Sequence, residues 1–404
     1  MGLKLYPEEN VSSIASAIRT KAGSSSTYTI SDMASAISNL GGGVDYLTPY
    51  LLRNMPTFEA DVSVIKDYAF HSQVSLTNAS FPSCLSVGEG AFSYCYKLAS
   101  VYLPKAQTIG ASAFYYCSSL ASISLPSCTS IGFSAFLNAR SLSQVYLPLC
   151  ESVGSYAFLG CSSLTSISLP SCTYVGGSAF VECRNLISAN IPVCSLIDIY
   201  TFSSCSSLTN VSAQACKSIS QYAFYNCSKL ETVYAPSCEY IGTGAFSYCR
   251  SLQYMDFPMC SFLGSFCFTW ASVASYVSLP ACKSISATAF GECYALPEIY
   301  LPVCSSIGAN CCNGCRSLSV VSLPSITTLA TSTFRSCYNL LSLYLLNSVM
   351  CSLANINAFT STPISDYTTS TGGVNGSIYV PASLYDSYIA ATNWITYSAR
   401  FVSV

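Results

Sequence analysis

Apolar and polar positions along this chain follow one pattern that returns every 22 residues between about residues 61 and 346. One copy, residues 113–132, reads AFYYCSSLASISLPSCTSIG. The same position of each copy holds a phenylalanine in almost every case: Phe70, Phe92, Phe114, Phe136, Phe158, Phe180, Phe202, Phe224, Phe246, Phe268, Phe290 and Phe334. Cys312 takes the remaining position, which gives thirteen copies without a change of frame. A short fixed period of this kind predicts a solenoid, in which each coil packs only on its neighbours.

The spacing within one copy predicts a strand. Ile123 and Leu125 are two residues apart and therefore point to one face, while Ser122 and Ser124 point to the other. Pro126 follows and ends the strand, because proline has no N–H for a sheet ladder. Each copy therefore predicts one strand with a buried and an exposed face.

The pattern AFxxCxxLxxVxLPxCxxIGxx resembles the BspA-like (Treponema-type) leucine-rich repeat over roughly three quarters of the chain. The resemblance implies a leucine-rich-repeat solenoid of about thirteen coils, with a parallel β-sheet on one face. It implies little about activity, because this fold is a scaffold for many binding tasks.

The pattern also predicts three domains. Residues 1–43 carry two short amphipathic stretches, which predict a small helical module that attaches the protein or caps the solenoid. Residues 11–23, VSSIASAIRTKAG, and residues 28–37, YTISDMASAI, are similar to a module found near the start of tail-associated proteins of phages and prophages. Residues 44–348 form the predicted solenoid, and residues 349–404 a C-terminal cap that resembles the terminal cap of BspA-like repeats. We expect a strand at residues 378–380, a short helix after Pro381, and Trp394 in the core of the cap rather than in a ligand site.

Charge and hydropathy exclude two classes of partner. The net charge is −2 and only 8% of residues are charged, so no basic stripe is available for nucleic acid. No apolar run is long enough to span a membrane, so we expect no membrane insertion. The first residues lack the apolar core of a signal peptide, which is consistent with a virion protein released by lysis.

The chain has 24 cysteines, most of which fall into two columns of the repeat. One column lies three residues after the phenylalanine and the other fourteen after it. Because Ala139, Ala271 and Ala106 occupy the same positions in other coils, we interpret these as small buried sites and expect free thiols. Disulfides are the alternative, although parallel side chains in neighbouring coils suit that bond poorly.

The outward positions of the predicted strands form a broad, almost uncharged face of tyrosine and serine. Tyrosine and serine are typical of recognition surfaces, since they combine rigid amphipathic area with adaptable hydrogen bonding. Equally, both residue types suit exposed strands without any ligand. The candidate ligand-binding residues are Tyr102, Tyr146, Tyr234, Tyr254, Asp256, Tyr276, Tyr300 and Tyr344. A second candidate is the loop after the phenylalanine, with Tyr94, Tyr115, Tyr116, Tyr225, Tyr248 and Trp270, for which partial burial at the coil edge is the alternative.

Catalysis is not expected, and neither is a cofactor or a metal. His71 is the only histidine, so no Ser-His-Asp or Cys-His set can be assembled with confidence. Asp256 and Glu298 face the same side about 10 Å apart at the spacing of strands, which is near the separation in inverting glycosidases. Cys311, Cys312 and Cys315 resemble a zinc cluster, but each occupies an inward position explained by packing.

Together these features predict a non-enzymatic adhesion or receptor-binding protein of the phage or prophage tail-fibre type. The expected partner is a host-surface glycan or protein, with tail or virion proteins at residues 1–43, and the protein is expected to form a homo-oligomer in the virion tail or outside the cell. The alternatives are a structural, self-assembling solenoid and a bacterial cell-surface adhesin.

Overall fold

The structure, a computed structural model, describes residues 56–367 and 369–404. The two predicted N-terminal helices and most of the lead-in to the first coil lie outside the described residues. Within the described residues, two rows of parallel strands run along a solenoid. Each row is called one sheet, although gaps in the hydrogen bonding divide the wider row into five ladders and the narrower row into two. No helix among them has the length and apolar character needed to cross a bilayer.

The wider sheet, called the front sheet, consists of three-residue strands and one of four residues. Its strands are β1 (Thr57–Glu59), β3 (Asn78–Ser80), β5 (Ser100–Tyr102), β7 (Ser122–Ser124), β9 (Gln144–Tyr146), β11 (Ser166–Ser168), β13 (Ser188–Asn190), β15 (Asn210–Ser212), β17 (Thr232–Tyr234), β19 (Tyr254–Asp256), β21 (Tyr276–Ser278), β23 (Glu298–Tyr300), β25 (Val320–Ser322), β27 (Ser342–Tyr344), β29 (Ser377–Val380) and β30 (Phe401–Ser403).

The narrower sheet, called the back sheet, consists of two-residue strands. These are β2 (Val64–Ile65), β4 (Ser86–Val87), β6 (Thr108–Ile109), β8 (Ser130–Ile131), β10 (Ser152–Val153), β12 (Tyr174–Val175), β14 (Leu196–Ile197), β16 (Ser218–Ile219), β18 (Tyr240–Ile241), β20 (Phe262–Leu263), β22 (Ser284–Ile285), β24 (Ser306–Ile307), β26 (Thr328–Leu329) and β28 (Ser352–Leu353). The predicted parallel sheet is therefore confirmed as the front sheet, and a second sheet faces it across the core.

The core lies between the two sheets and the turns that connect them. In one coil, Phe114, Leu120, Ile123, Leu125 and Ile131 are all buried, because each stands at an inward position of a strand or turn. The phenylalanine rings form a stack along the solenoid axis. From Phe70 to Phe290 successive ring centroids are 4.9–5.8 Å apart and nearly parallel. The apolar repeat thus becomes a continuous core in which each coil covers the next.

The third wall of each coil, called the turn edge, comprises the turns on both sides of the phenylalanine. Here residues two before and two after the phenylalanine adopt left-handed backbone angles, as at Ser112 (φ 53°) and Tyr116 (φ 57°). This geometry directs the N–H groups of Ser112, Phe114 and Tyr116 to carbonyl oxygens of the next coil, at 2.7–2.8 Å. Backbone hydrogen bonds therefore join the coils on all three walls.

The solenoid has about 16 coils, more than the thirteen expected. The frame changes after Phe334, but Phe359 still stacks on Phe334 with centroids 5.8 Å apart, so the extra residues bulge without ending the stack. The front sheet then continues through β29 and β30, which pair in parallel with the strands before them.

The C-terminal region contains the predicted strand, proline, short helix and aromatic cover. Strand β29 ends before Pro381, and helix α1 spans Tyr385–Ala390. Trp394 and Tyr388 are fully buried, which confirms the core position expected for Trp394. Five short 3-10 helices complete the region, at Ile356–Phe359, Pro363–Ser365, Thr369–Thr371, Ala382–Leu384 and Trp394–Arg400.

All 24 cysteines lie in the described residues, and all are buried free thiols. In the first column each thiol donates to the carbonyl of the residue at the phenylalanine position of the preceding coil, as Cys117 does to Phe92 and Cys337 to Cys312, both at 3.1 Å. In the second column each thiol donates to a carbonyl two residues ahead, as Cys128 does to Ser130 at 3.3 Å. The expected inward packing of both columns is confirmed.

Candidate ligand-binding face

The front sheet presents two outward columns to solvent. In each three-residue strand the central residue faces the core, so the first and third residues face outward. The parallel register aligns third residues with third residues, as in Ser168, Asn190, Ser212 and Tyr234. We call these lines of residues the first-position column and the third-position column.

Seven of the eight predicted residues are exposed on these columns. Tyr102, Tyr146, Tyr234 and Tyr300 belong to the third-position column, and Tyr254 and Tyr276 to the first-position column. The six tyrosines are 51–61% exposed. Asp256, also in the third-position column, is exposed as well. A tyrosine ring is apolar except at its hydroxyl, so these exposed rings supply the apolar area of the face.

Tyr344 is the exception, because it is half-buried. Its ring stacks on that of Tyr379 at 4.4 Å and 12°, and the two residues are paired in register across β27 and β29. Tyr379 was not among the predicted residues, although it alternates with buried Ile378 and Val380 in the same strand. That alternation is the sequence signal from which Tyr379 could have been predicted to face outward.

The structure brings the predicted residues together in groups rather than in one site. Tyr254 and Tyr276 are neighbours in register on β19 and β21. Tyr102 and Tyr146 are two coils apart, about 10 Å at the spacing of strands. Tyr146 and Tyr234 are four coils apart, about 19 Å by the same spacing. A ligand that used all of them would have to be extended along the solenoid axis.

Hydrogen bonding distinguishes the small polar residues of this face from the tyrosines. Ser100 donates to Asn78 Oδ1 at 2.6 Å, and Asn190 donates to Ser168 at 3.4 Å, so small side chains bond along the columns. Among the described residues, the hydroxyls of the six exposed tyrosines have no side-chain or backbone partner. Each therefore has a free donor and acceptor available to a ligand.

The carboxylates on this face do not form an evident acid–base pair. Asp256 lies in the third-position column, in register with Ser278, whereas Glu298 lies in the first-position column, in register with Val320. Both are exposed. They share a face of the sheet but stand in different columns.

The second candidate, the loop after the phenylalanine, forms two clusters of half-buried rings. In the N-terminal cluster, Tyr94 contacts Tyr115 at 5.3 Å and Tyr116 at 5.7 Å, and His71 contacts Tyr94 at 5.6 Å. His71 Nδ1 also lies 2.6 Å from Ser93 Oγ. These rings fill the space between one another, so partial burial at the coil edge explains this cluster. The other cluster includes Tyr225, Tyr248 and Trp270.

No metal centre is formed by the described residues, where no group of three or more His, Cys, Asp or Glu has suitable geometry. Cys311, Cys312 and Cys315 are buried in the core at the expected inward positions. Hydrogen bonds to Cys311 and Cys315, together with burial, raise the pKa of Cys312 well above that of an ordinary thiol. Inward packing therefore accounts for the positions of all three thiols.

Stacked parallel coils, a buried ring stack and an outward strand face define a leucine-rich-repeat solenoid, a class that is typically a non-enzymatic scaffold. The family model described as "BspA type Leucine rich repeat region" matches residues 53–150, 129–253 and 261–373. The chain therefore belongs to the BspA-type leucine-rich-repeat family, whose proteins are cell-surface or extracellular proteins.

Solved structures of similar proteins come from several bacteria. A leucine-rich repeat protein from Bacteroides ovatus is 23% identical, with 75% of this chain and 88% of that chain covered and a TM-score of 0.45. A leucine-rich cell surface protein from Faecalibacterium prausnitzii is 21% identical, with 76% and 82% covered and a TM-score of 0.38. The pneumococcal vaccine antigen PcpA is 16% identical, with 85% and 82% covered and a TM-score of 0.44. No curated protein has significant sequence similarity to the chain.

Proposed function

We propose that this chain is a non-enzymatic adhesion or receptor-binding protein that binds a host-surface glycan or protein through the front sheet. The observation that carries the proposal is the set of exposed tyrosines whose hydroxyls have no partner among the described residues. Tyr102, Tyr146, Tyr234 and Tyr300 in the third-position column, with Tyr254 and Tyr276 beside them, offer apolar area and unused hydrogen-bonding groups on a rigid sheet. A rigid, preorganised surface loses little entropy when it binds a ligand.

More specifically, we propose that the protein belongs to a phage or prophage tail. It is supported by the similarity of residues 1–43 to a module of tail-associated proteins. In this arrangement that module binds tail proteins or sister copies in a homo-oligomer, and the solenoid extends towards the host. Immunogold electron microscopy of lysates with an antibody to the solenoid tests it, and we expect labelled tails. Label on the surface of intact producing cells, with bare tails, would instead support a bacterial surface adhesin.

Binding through the front sheet is tested by a triple variant, Tyr146→Ala, Tyr234→Ala and Tyr300→Ala. Because these side chains are exposed, the fold is expected to persist while binding to whole cells and to a glycan array falls at least ten-fold. The matched control replaces three exposed tyrosines elsewhere, Tyr156→Ala, Tyr174→Ala and Tyr240→Ala.

Equal binding by the two triple variants would exclude the front sheet as the binding face. Light scattering and electron microscopy of the unmodified protein separate adhesion from self-assembly. Ordered filaments or sheets that bind no cells would show that the solenoid is a structural element.

A further inference from the structure

The turn edge carries a second surface, which is distinct from the front sheet and is built of aromatic rings. The ring of Tyr225 contacts Tyr248 at 5.6 Å, Tyr248 stacks on Trp270 at 6.1 Å, and Trp270 contacts Tyr294 at 5.7 Å. All four are half-buried. We call this run of four rings on successive coils the aromatic edge.

Two arginines lie over the aromatic edge without a carboxylate partner. The guanidinium of Arg250 is 5.8 Å from the ring centre of Tyr248 and 5.9 Å from that of Trp270. The guanidinium of Arg316 is 4.5 Å from the ring centre of Tyr294. Both arginines are exposed, and neither belongs to an ion pair among the described residues. The rings hold both cations in place while leaving their charge available.

The same position of an earlier coil shows the contrasting arrangement. Arg184, like Arg250, stands four residues after the phenylalanine, but its guanidinium lies 3.3 Å from Glu182 Oε2. Glu182 stands two residues after the phenylalanine, where the later coils have Tyr248 and Trp270. The repeat therefore neutralises its arginine in one coil and places Tyr248 beside Arg250 in another. Beside Arg316 this position is Gly314, and in the coil before it is Glu292, which bonds to Tyr294.

Trp270 and Tyr248 also occupy strained backbone positions. Their φ angles are 66° and 64°, in the left-handed region that bulky residues rarely adopt. Other coils fill this position with Asn138, Gly160 or Ser204, which shows that the turn does not require a ring.

The phenol of Tyr294 shows that Arg250 and Arg316 act on one surface. Burial and a hydrogen bond to Glu292 raise the pKa of Tyr294, while Arg316 and Arg250 oppose this rise. Both guanidiniums are therefore within electrostatic reach of Tyr294, beside Trp270. The two arginines are three coils apart, about 14 Å at the spacing of strands.

We propose that the aromatic edge binds an acidic polysaccharide in which a uronic acid alternates with a neutral sugar. Sugar rings lie along the exposed edges of Trp270 and Tyr294, because Tyr248 and Arg316 already cover a face of each ring. Carboxylates of successive uronates pair with Arg250 and Arg316. Two widely spaced cations suit sparse carboxylates. Phosphates of a nucleic-acid strand repeat at about 3.4 Å, and the net charge of −2 repels so dense a polyanion.

The test titrates the full chain with a hyaluronan octasaccharide and follows tryptophan fluorescence. The chain has two tryptophans, and Trp394 is fully buried, so a change in emission reports on Trp270. We expect saturable binding that weakens as sodium chloride is raised. Arg250→Ala is expected to weaken binding at least ten-fold, and Arg250→Lys to weaken it less, because lysine keeps the charge but loses the planar fork.

Arg184→Ala is the matched control and is expected to leave the affinity unchanged. The front-sheet triple variant is also expected to bind the octasaccharide normally, which separates this site from the proposed receptor-binding face. The proposal is overturned if the methyl-esterified octasaccharide binds as tightly, if Arg184→Ala weakens binding as much as Arg250→Ala, or if millimolar octasaccharide gives no saturable change. Tighter binding of an octaglutamate peptide or of single-stranded DNA would assign the surface to another class of partner.

Discussion

Each coil contributes one phenylalanine ring to the stack at the centre of the solenoid. Neighbouring rings differ in tilt by less than 10° from Phe70 to Phe290, because identical side chains in identical backbone settings repeat the same rotamer. Cys312 interrupts the stack, and the thiols of Cys311 and Cys315 pack around it. The sequence was sufficient to place these residues inside, since the period alone determines which positions face the core.

Buried thiols make the stability of the protein depend on alkaline pH. Burial raises the pKa of Cys95 and of Cys227 to about 12, and that of Cys128 to about 11. The pKa of a thiol in the unfolded chain is near 9.0. The folded protein therefore retains protons that the unfolded chain loses, and its stability is full below pH 9 and falls as the pH rises towards 11–12. We expect the urea midpoint to be lower at pH 10.5 than at pH 7.

Phenols in general ionise near pH 10, so the thiol contribution needs a control. Cys161→Ala and Cys227→Ala remove two buried thiols from a column that elsewhere accepts Ala139 and Ala271. The double variant is expected to show a smaller loss between the two pH values. An unchanged loss would assign the effect to tyrosine.

All 24 thiols are also expected to react with a thiol reagent after denaturation without reductant, because all are free. Reaction of fewer than half of them would contradict the free state.

The front strands could be predicted from alternation, whereas the back strands could not. Ile123 and Leu125 alternate with serines over enough residues to indicate a strand. The back strand Ser130–Ile131 has two residues and shows no period of its own, so only its place in the coil makes it part of a sheet. The left-handed positions of the turn edge were equally hidden, because Ser112, Tyr116 and Trp270 share a backbone angle but no chemistry.

The aromatic edge was recognised as a candidate only in part. Tyr225, Tyr248 and Trp270 were predicted from their place after the phenylalanine. Arg250 and Arg316 were missed, because an exposed arginine carries no signal until the rings beneath it are located. Pairing between coils, rather than local sequence, creates that surface.

The last back strand depends on two side chains of the C-terminal region. The Cys351 N–H donates to Tyr388 Oη at 2.7 Å, and Trp394 Nε1 donates to the Cys351 carbonyl at 2.7 Å. Tyr388→Phe is expected to destabilise the protein by about 1–3 kcal/mol, because it leaves a buried N–H without its acceptor. Urea denaturation measures the loss, and hydrogen exchange should show it at β28 first.

Tyr367→Phe is the control for this prediction, because Tyr367 is exposed. Its effect on the unfolding midpoint is expected to be close to zero. If Tyr388→Phe were equally silent, the hydrogen bond to Cys351 would not be what holds β28 in place.

On the scale of the whole molecule, stability comes from contacts between adjacent coils. The repeat predicted that architecture, but it did not predict where the stack ends, since β29 and β30 follow segments of irregular length. It also did not predict where the stack is weakest. The front-sheet ladder is interrupted between β17 and β19 and again between β21 and β23, which leaves β19 and β21 as an isolated pair.

Three features coincide at this isolated pair. Ala274 stands where other coils have leucine, Val277 is only half-buried, and the Phe268–Phe290 ring spacing of 5.8 Å is the widest from Phe70 to Phe290. Each reduces the apolar contact between one coil and the next. In a solenoid a weak interface lets the two flanking blocks open separately, because no distant contacts bridge it.

We therefore expect internal opening to begin at the coils that contain β19 and β21. In hydrogen exchange measured by mass spectrometry, amides of residues 254–278 should lose protection before those of β13 to β18, where both the front and the back ladders are unbroken. The pair β7 and β9 is the internal control, since it is also isolated in the front sheet and its Val145 is half-buried like Val277. It retains Leu142 and a ring spacing of 5.1 Å on both sides of Phe136. Slower exchange there would show that lost core contacts, rather than gaps in the ladder, set the weak point. Uniform protection of all internal coils would contradict it, because the solenoid would then unfold as a single unit.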